Sequence, residues 1–226
     1  MEMEYGRAFA FPTQNIDWVK KWAIAGAISL IPIAGQLVLA GYSVEITRRV
    51  INDEPTTLPE WSDFGSFLRK GFGVLVIGLV YFLPLVLLGL CLGVPLGVAS
   101  ALQNGGGDTE WLGQLGGVLG ACLGCLGALY GLAAGLMLQA ALGRYAATDQ
   151  IGAALRVAEV FALVRAKPGV FLIVMVVSAL AQSVLTSLAV IACVIGAAWG
   201  GAYAALATAH LIGQAYRYVS ATSTPQ

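Results

Sequence analysis

The chain has 226 residues, of which 58% are hydrophobic and 11% are charged, and its mean hydropathy is +0.82. Soluble domains are about 45–50% apolar and about 25% charged, so this composition excludes an ordinary soluble domain and a disordered chain. The formal net charge is +0, which gives no reason to expect a nucleic-acid partner. We therefore expect an all-α integral membrane protein surrounded by lipids.

Four long windows without Asp, Glu, Lys or Arg predict the membrane helices. They cover residues 22–44, 71–107, 111–143 and 168–216. A helix needs about 20 apolar residues to cross a hydrocarbon core of about 30 Å, so the last window is long enough for two crossings. Because lipid offers no hydrogen-bond partner to the backbone, each crossing is expected to be helical.

The first window has two alternatives. Pro32 stops a helix and Gly35 permits a chain reversal, so the window forms either a short hairpin or one kinked crossing. The hairpin places Lys20 and Lys21 on the same side as the next basic connection, whereas the kinked crossing places them on the opposite side. We favour the hairpin, with arms of about 15–31 and 35–52, although each arm is slightly short for a full crossing.

Residues 45–70 form the first basic connection. Aromatic residues at 61, 64 and 67 have helical spacing, which predicts an interfacial helix over about 61–70 with Ser62 or Asp63 as its N-cap. The acidic segment 53–64, which overlaps the beginning of this helix, contains Glu60, Trp61 and Asp63 and is a possible loop for a cytoplasmic partner. The alternative is a solvated loop that Trp61 anchors to the membrane.

The next connection sets the predicted orientation. Residues 101–110 contain Asp108 and Glu110 but no Lys or Arg, so we expect them outside, with residues 45–70 and 144–167 inside. The protein would then be a multi-pass membrane protein with both termini cytoplasmic. The predicted segments form three hairpins in a single membrane domain, 1–216: about 15–31, 35–52, 71–97, 111–142, 168–188 and 190–216.

Glycine marks the segment 111–142. Gly116, Gly120 and Gly124 lie four residues apart, and a second series has the same spacing and completes a glycine-zipper pattern: Gly127, Gly131 and Gly135. Small residues let helix backbones approach closely in lipid, so both series predict helix packing, either within the chain or against a partner or a second copy.

The last part of the chain begins with a second interfacial helix, predicted over about 149–166, and ends in a short polar tail, 217–226. The final window contains Ser178, Gln182 and Thr186 on one helical face, together with His210, the single histidine. These residues could line a polar path, but interhelical hydrogen bonds explain them equally well. No catalytic residue, metal ligand set or cofactor motif is predicted, and the Cys122–Cys125 pair has no second Cys or His pair nearby.

Several short motifs in the first third of the chain resemble one family. They are Asp17-Trp18-Val19-Lys20-Lys21, Pro32-Ile33-Ala34-Gly35, Gly41-Tyr42, Arg48-Arg49, the run from Leu58 to Gly65, and Gly71. Together they are similar to a prokaryotic membrane family, domain of unknown function 4013. The resemblance covers most of the chain and is most specific in residues 17–73. It implies a multi-helix protein of a prokaryotic inner membrane and brings no known activity.

These observations favour a non-catalytic membrane protein with a structural, assembly or lipid-interacting role. Its partners would be lipids and possibly other membrane subunits or a second copy. The alternative is a carrier for a neutral or apolar solute, since the windows lack the carboxylates that ion coupling usually needs. An intramembrane enzyme would need a nucleophile and a base, and the sequence shows no such pair.

Overall fold

The computed structural model describes residues 5–14, 16–54, 58–94, 110–191 and 194–223. Within these ranges the chain is helical and has no strand, which confirms the all-α prediction. A 3-10 turn, Phe11–Gln14, follows the first helix, and a π-helical turn, Gly89–Gly93, follows the fourth. The described helices are α1 (Tyr5–Ala10), α2 (Trp18–Ser29), α3 (Ala34–Ile51), α4 (Phe64–Leu88), α5 (Glu110–Thr148), α6 (Ile151–Ala154), α7 (Val157–Ala166), α8 (Pro168–Ile191) and α9 (Val194–Ser223).

Three of these helices are long and apolar enough to cross a membrane. The stretches are Phe64–Cys91, Gly117–Thr148 and Pro168–Ser187, with mean hydropathies of 2.8, 1.9 and 2.2. Only 11%, 6% and 11% of their most apolar windows are buried inside the chain. Since so much apolar surface is unfavourable in water, these helices suit a lipid environment.

Several helix boundaries differ from the sequence prediction. The proposed interfacial helix 61–70 is not separate, because α4 begins at Phe64 and continues without a break beyond Gly71. The segment predicted over 149–166 is two short helices, α6 and α7, interrupted between them. Residues 217–223 of the predicted tail are the last turns of α9, where Arg217 binds the Val50 carbonyl and the Asp53 carboxylate.

Some of the predicted features lie partly outside the described residues. These are the segments at residues 15, 95–97 and 192–193, the acidic segment at 55–57, the outer connection at 101–109 and the tail at 224–226.

Helices α2 and α3 pack antiparallel. Ala25 lies against Leu39 in one apolar cluster, and Gly35 lies against Ile28 one turn closer to the connection. Pro32 stands in that connection, but the left-handed residue is Ile33, with φ of 63°, rather than Gly35. Gly35 instead allows a close helix contact, since a Cβ there would lie 2.9 Å from the Ile28 carbonyl carbon.

The contacts of the chain divide it into two compact units, and the boundaries fall inside α4 and α5. The first unit comprises Met1–Gly78 and Leu136–Gln226, and the second comprises Leu79–Gly135. In the first unit, α9 is the central helix and packs against α8, α3 and α2. In the second unit, the Tyr130 hydroxyl donates to the Tyr81 carbonyl oxygen at 2.8 Å.

Candidate functional site

A close contact between α3 and α4 positions the candidate site. A Cβ on Gly41 would lie 2.6 Å from the Phe67 carbonyl carbon, and a Cβ on Gly71 would lie 2.6 Å from that of Leu37. Both neighbours are backbone atoms of the facing helix, so neither moves as a flexible side chain would. Glycine is required at both positions, and the contact fixes the register of the two helices.

This register brings charged side chains of the two helices into contact. Lys70 of α4 is buried, and its Nζ donates to Glu45 Oε2 of α3 at 2.5 Å. Arg49 Nε lies 3.6 Å from the other Glu45 oxygen, at i,i+4 spacing along α3. A buried lysine is costly unless it is paired, so Glu45 and Lys70 depend on the glycine contact that brings them together.

The segment Leu58–Trp61 packs against the first turn of α2, and four polar contacts hold it in place. Lys21 is 8% exposed, and its Nζ donates to the Leu58 carbonyl oxygen at 2.8 Å and to Glu60 Oε1 at 2.6 Å. The indole N–H of Trp61 donates to the Lys21 carbonyl oxygen at 3.1 Å. The Tyr42 hydroxyl donates to the Pro59 carbonyl oxygen at 2.9 Å. These contacts satisfy a buried ammonium and a buried hydroxyl.

Contacts between aromatic rings also hold the same segment in place. The ring of Trp61 is stacked on that of Tyr42, with centroids 4.0 Å apart and an interplanar angle of 4°. Phe67 meets Tyr42 and Trp61 edge-on, with centroid distances of 5.4 and 5.8 Å. Such pairs contribute about 0.5–1.5 kcal/mol each beyond their buried area. The segment is therefore a packed part of the fold.

A pocket of about 930 Å³ opens beside this segment. We call it the charged pocket, and it is lined by Ile16, Asp17, Lys21, Glu45, Arg48, Arg49, Glu54, Leu58, Pro59, Glu60, Ser62, Asp63, Ser66, Phe67 and Lys70. Its side chains come from α2, α3, the 58–61 segment and the beginning of α4. The Lys21 hydrogen bond lowers the pKa of the exposed Glu60 carboxyl. Within the described residues, Lys21, Arg49 and Lys70 are paired as given above, whereas the Arg48 guanidinium makes no hydrogen bond or ion pair.

Further contacts of charged side chains in the first unit connect the ends of α4, α5, α7, α8 and α9. Arg69 Nη2 lies 3.4 Å from Asp149 Oδ2, next to the end of α5. Arg144 of α5 pairs with Glu159 of α7, and Lys167 Nζ lies 4.0 Å above the Tyr218 ring. These contacts place the first turns of α4 and α8 near the last turns of α5 and α9. Charge is thus concentrated at one end of the first unit.

Each residue of the predicted partner loop has an intramolecular contact. Glu60 binds Lys21, Trp61 is stacked on Tyr42, and Asp63 Oδ1 accepts the Ser66 backbone N–H at 3.0 Å. The last contact makes Asp63 the N-cap of α4, one of the two caps expected from sequence. A docking role for this loop stays a prediction.

All six glycines of the two predicted series lie in the second unit, and they differ in their surroundings. A Cβ on Gly120, Gly124 or Gly131 would meet no atom within 4 Å in the described residues, and one on Gly127 would meet Leu85 Cδ1 at 3.3 Å.

The two remaining glycines of these series are Gly116 and Gly135. Gly135 is half-buried, and the surroundings of Gly116 lie outside the description. The close glycine contacts of the described residues are elsewhere, including those of Gly41 and Gly71.

The residues of the predicted polar path are not all brought together. Gln182 donates to the Thr186 hydroxyl at 3.2 Å, one turn along α8, and the Ser178 hydroxyl has no hydrogen-bond partner in the described residues. His210 is 2% exposed and lies against the Phe11 ring, with centroids 4.8 Å apart. It therefore occupies the apolar core rather than the face that carries Gln182.

Sequence reasoning missed Lys21, Glu45, Arg48 and Lys70 as parts of one site. Signals for them existed, since Glu45 and Arg49 have i,i+4 spacing and Lys21 adjoins an apolar window. Nothing local to the sequence connected α3 to α4. Within the described residues, no group of three or more His, Cys, Asp or Glu is arranged to hold a metal ion.

Comparison with known proteins gives a family but no characterised relative. The model of a family described as "protein of unknown function (DUF4013)" matches residues 24–196 and confirms the resemblance noted in the sequence. No curated protein matches the chain, and no solved structure matches it.

Proposed function

The chain belongs to the DUF4013 family, and we propose that it is a non-catalytic, multi-pass membrane protein that packs with lipids and other membrane chains. The observation that carries this proposal is the exposure of its apolar helices. Between 6% and 11% of the most apolar window of each helix is buried inside the chain. Glycines at 120 and 124 add smooth, open faces of the kind that membrane helices use to associate.

We also propose six membrane segments with both termini in the cytoplasm of a prokaryotic cell. The ion contacts support this arrangement, because they gather basic residues from α2, α3, α4, α5 and α9 at one end of the first unit. Basic residues near helix ends favour the cytoplasmic side. Helix α2 has 12 residues, or about 18 Å, so the α2–α3 pair would enter the membrane without fully spanning it.

Native mass spectrometry after mild extraction from the host membrane tests the packing role. We expect a defined assembly that contains other chains or a second copy of this one. The matched variants are Gly120→Ile, on an open helix face, and Gly152→Ile, on the short helix α6, where a Cβ would also meet nothing. The first should disrupt the assembly and the second should not.

A different result would favour the carrier alternative. A bare monomer with a stoichiometric small solute, unaffected by Gly120→Ile, would contradict the assembly role and identify the solute as a transport candidate.

A further inference from the structure

The charged pocket contains one cation whose side chain is not fixed by a direct partner in the described residues. Arg48 is half-buried and lines the pocket, and its guanidinium makes no hydrogen bond or ion pair within the described ranges, although its charge acts on the Glu45 carboxyl. Its basic neighbours differ, since Lys21, Arg49 and Lys70 are each paired with Glu60 or Glu45. A half-buried guanidinium of this kind is a binding group for an anion.

The same pocket contains carboxylates that have no cationic partner in the described part of the chain. Asp17 is exposed at the beginning of α2 and makes no side-chain contact there. Glu54 accepts only the Asn52 amide at 3.2 Å, and Asp63 accepts only a backbone N–H. The pocket therefore offers one guanidinium and three acidic side chains to a ligand.

We propose that the charged pocket binds a zwitterion in which a phosphate and a primary ammonium are joined by a short linker, as in phosphoethanolamine. The Arg48 guanidinium has planar, forked donors that bind a phosphate through two hydrogen bonds. The ammonium has three N–H donors, which suit the carboxylates of Asp17, Glu54 and Asp63. The volume of about 930 Å³ is ample for such a group.

This chemistry has two possible sources. One is the headgroup of phosphatidylethanolamine in the surrounding bilayer, and this source rests on the proposed membrane placement of the charged end. The other is a soluble phosphoethanolamine compound, which does not depend on that placement. Choline headgroups lack N–H donors, and glycerol headgroups lack the cation, so both should bind more weakly.

The test uses the full chain in two arms. In the first, native mass spectrometry counts lipids retained by protein taken from nanodiscs that contain phosphatidylethanolamine, phosphatidylcholine and phosphatidylglycerol in equal amounts. In the second, calorimetry follows glycerophosphoethanolamine added to protein in detergent. Ethanolamine lipid retained in preference to both others supports the lipid source, and binding in the second arm supports the soluble source.

Matched variants tie the binding to the pocket. Arg48→Gln should reduce ethanolamine-headgroup binding about tenfold, the loss expected for a charge-assisted hydrogen bond. Arg165→Gln, at an exposed arginine outside the pocket, should leave it unchanged. If Arg48→Gln does not fold, Asp17→Asn removes one of the three exposed carboxylates and should reduce the preference for ethanolamine over glycerol headgroups.

Two results would overturn the proposal: no binding in either arm, or equal binding by wild type and the folded pocket variant. A chain that forms no assembly would refute the proposed function while the calorimetry arm still reports on the pocket.

Discussion

Substituting Gly41 by alanine should destabilise the protein by separating α3 from α4. The new Cβ would lie 2.6 Å from the Phe67 carbonyl carbon and 2.9 Å from the Gly71 nitrogen, whereas ordinary contact begins at 3.4 Å. The helices must therefore move apart by roughly 0.8 Å or more, and overpacking of this kind costs about 1–3 kcal/mol. The movement also weakens the pair between Lys70 and Glu45, so we expect the upper part of that range.

The assay is thermal unfolding in detergent, followed by intrinsic fluorescence. For a chain of about this size, 1 kcal/mol changes the melting temperature by about 2–4 °C, so a cost of about 2–3 kcal/mol for Gly41→Ala should lower it by roughly 4–12 °C. The matched control is Gly78→Ala in α4, where a Cβ meets nothing within 4 Å. Alanine favours a helix over glycine by about 0.8–1.0 kcal/mol, so this control should melt at the same temperature or higher. Equal melting temperatures for both variants would refute the close-contact argument.

Three further predictions test the 58–61 segment and the open helix face. Because Lys21 lowers the pKa of Glu60 below its ordinary 4.5, the stabilisation from this pair is present above that pH and is lost as the pH falls through the folded-state pKa. The difference in melting temperature between wild type and Glu60→Gln should therefore be larger at neutral pH and should disappear at acidic pH. A difference that does not change with pH would contradict the pairing. Trp61→Phe keeps a stacked ring but loses the indole donor, so chemical or thermal unfolding should show a loss of about 0.5–1.5 kcal/mol, with a larger loss for Trp61→Ala. Gly120→Ile should change the free energy of unfolding of the isolated monomer by no more than about 0.5 kcal/mol, so its melting temperature should be nearly unchanged. A large decrease in melting temperature would place that face in an intrachain contact.

The helices could be predicted because their signal is local. Long windows without charge and the Pro32 break determine where α3, α5, α8 and α9 form, since backbone hydrogen bonding in lipid leaves few alternatives. Their ends were less predictable. Nothing in residues 217–223 shows that Arg217 reaches back to Asp53 and that the helix continues across them.

The candidate site could be predicted only in part, because its contacts join distant segments. The 58–61 segment is visible as an acidic, Pro-containing run, which suggested a loop for a partner. Its real anchors, Lys21 and Tyr42, lie 37 and 17 residues away from the atoms they bind. The pairing of Lys70 with Glu45 depends on the helix register that Gly41 and Gly71 set, and a glycine in an apolar window does not reveal which backbone it faces.

The central claim is that the charged end of the helices faces the cytoplasm of a membrane-spanning protein. Labelling by a membrane-impermeant thiol reagent tests it most directly, with single cysteines introduced by Glu60→Cys, Gln103→Cys and Thr222→Cys in a background without the four native cysteines. We expect positions 60 and 222 to be labelled only in inverted vesicles and position 103 to be labelled in intact cells. Labelling of position 60 in intact cells, or of positions 60 and 222 from opposite sides, would contradict it.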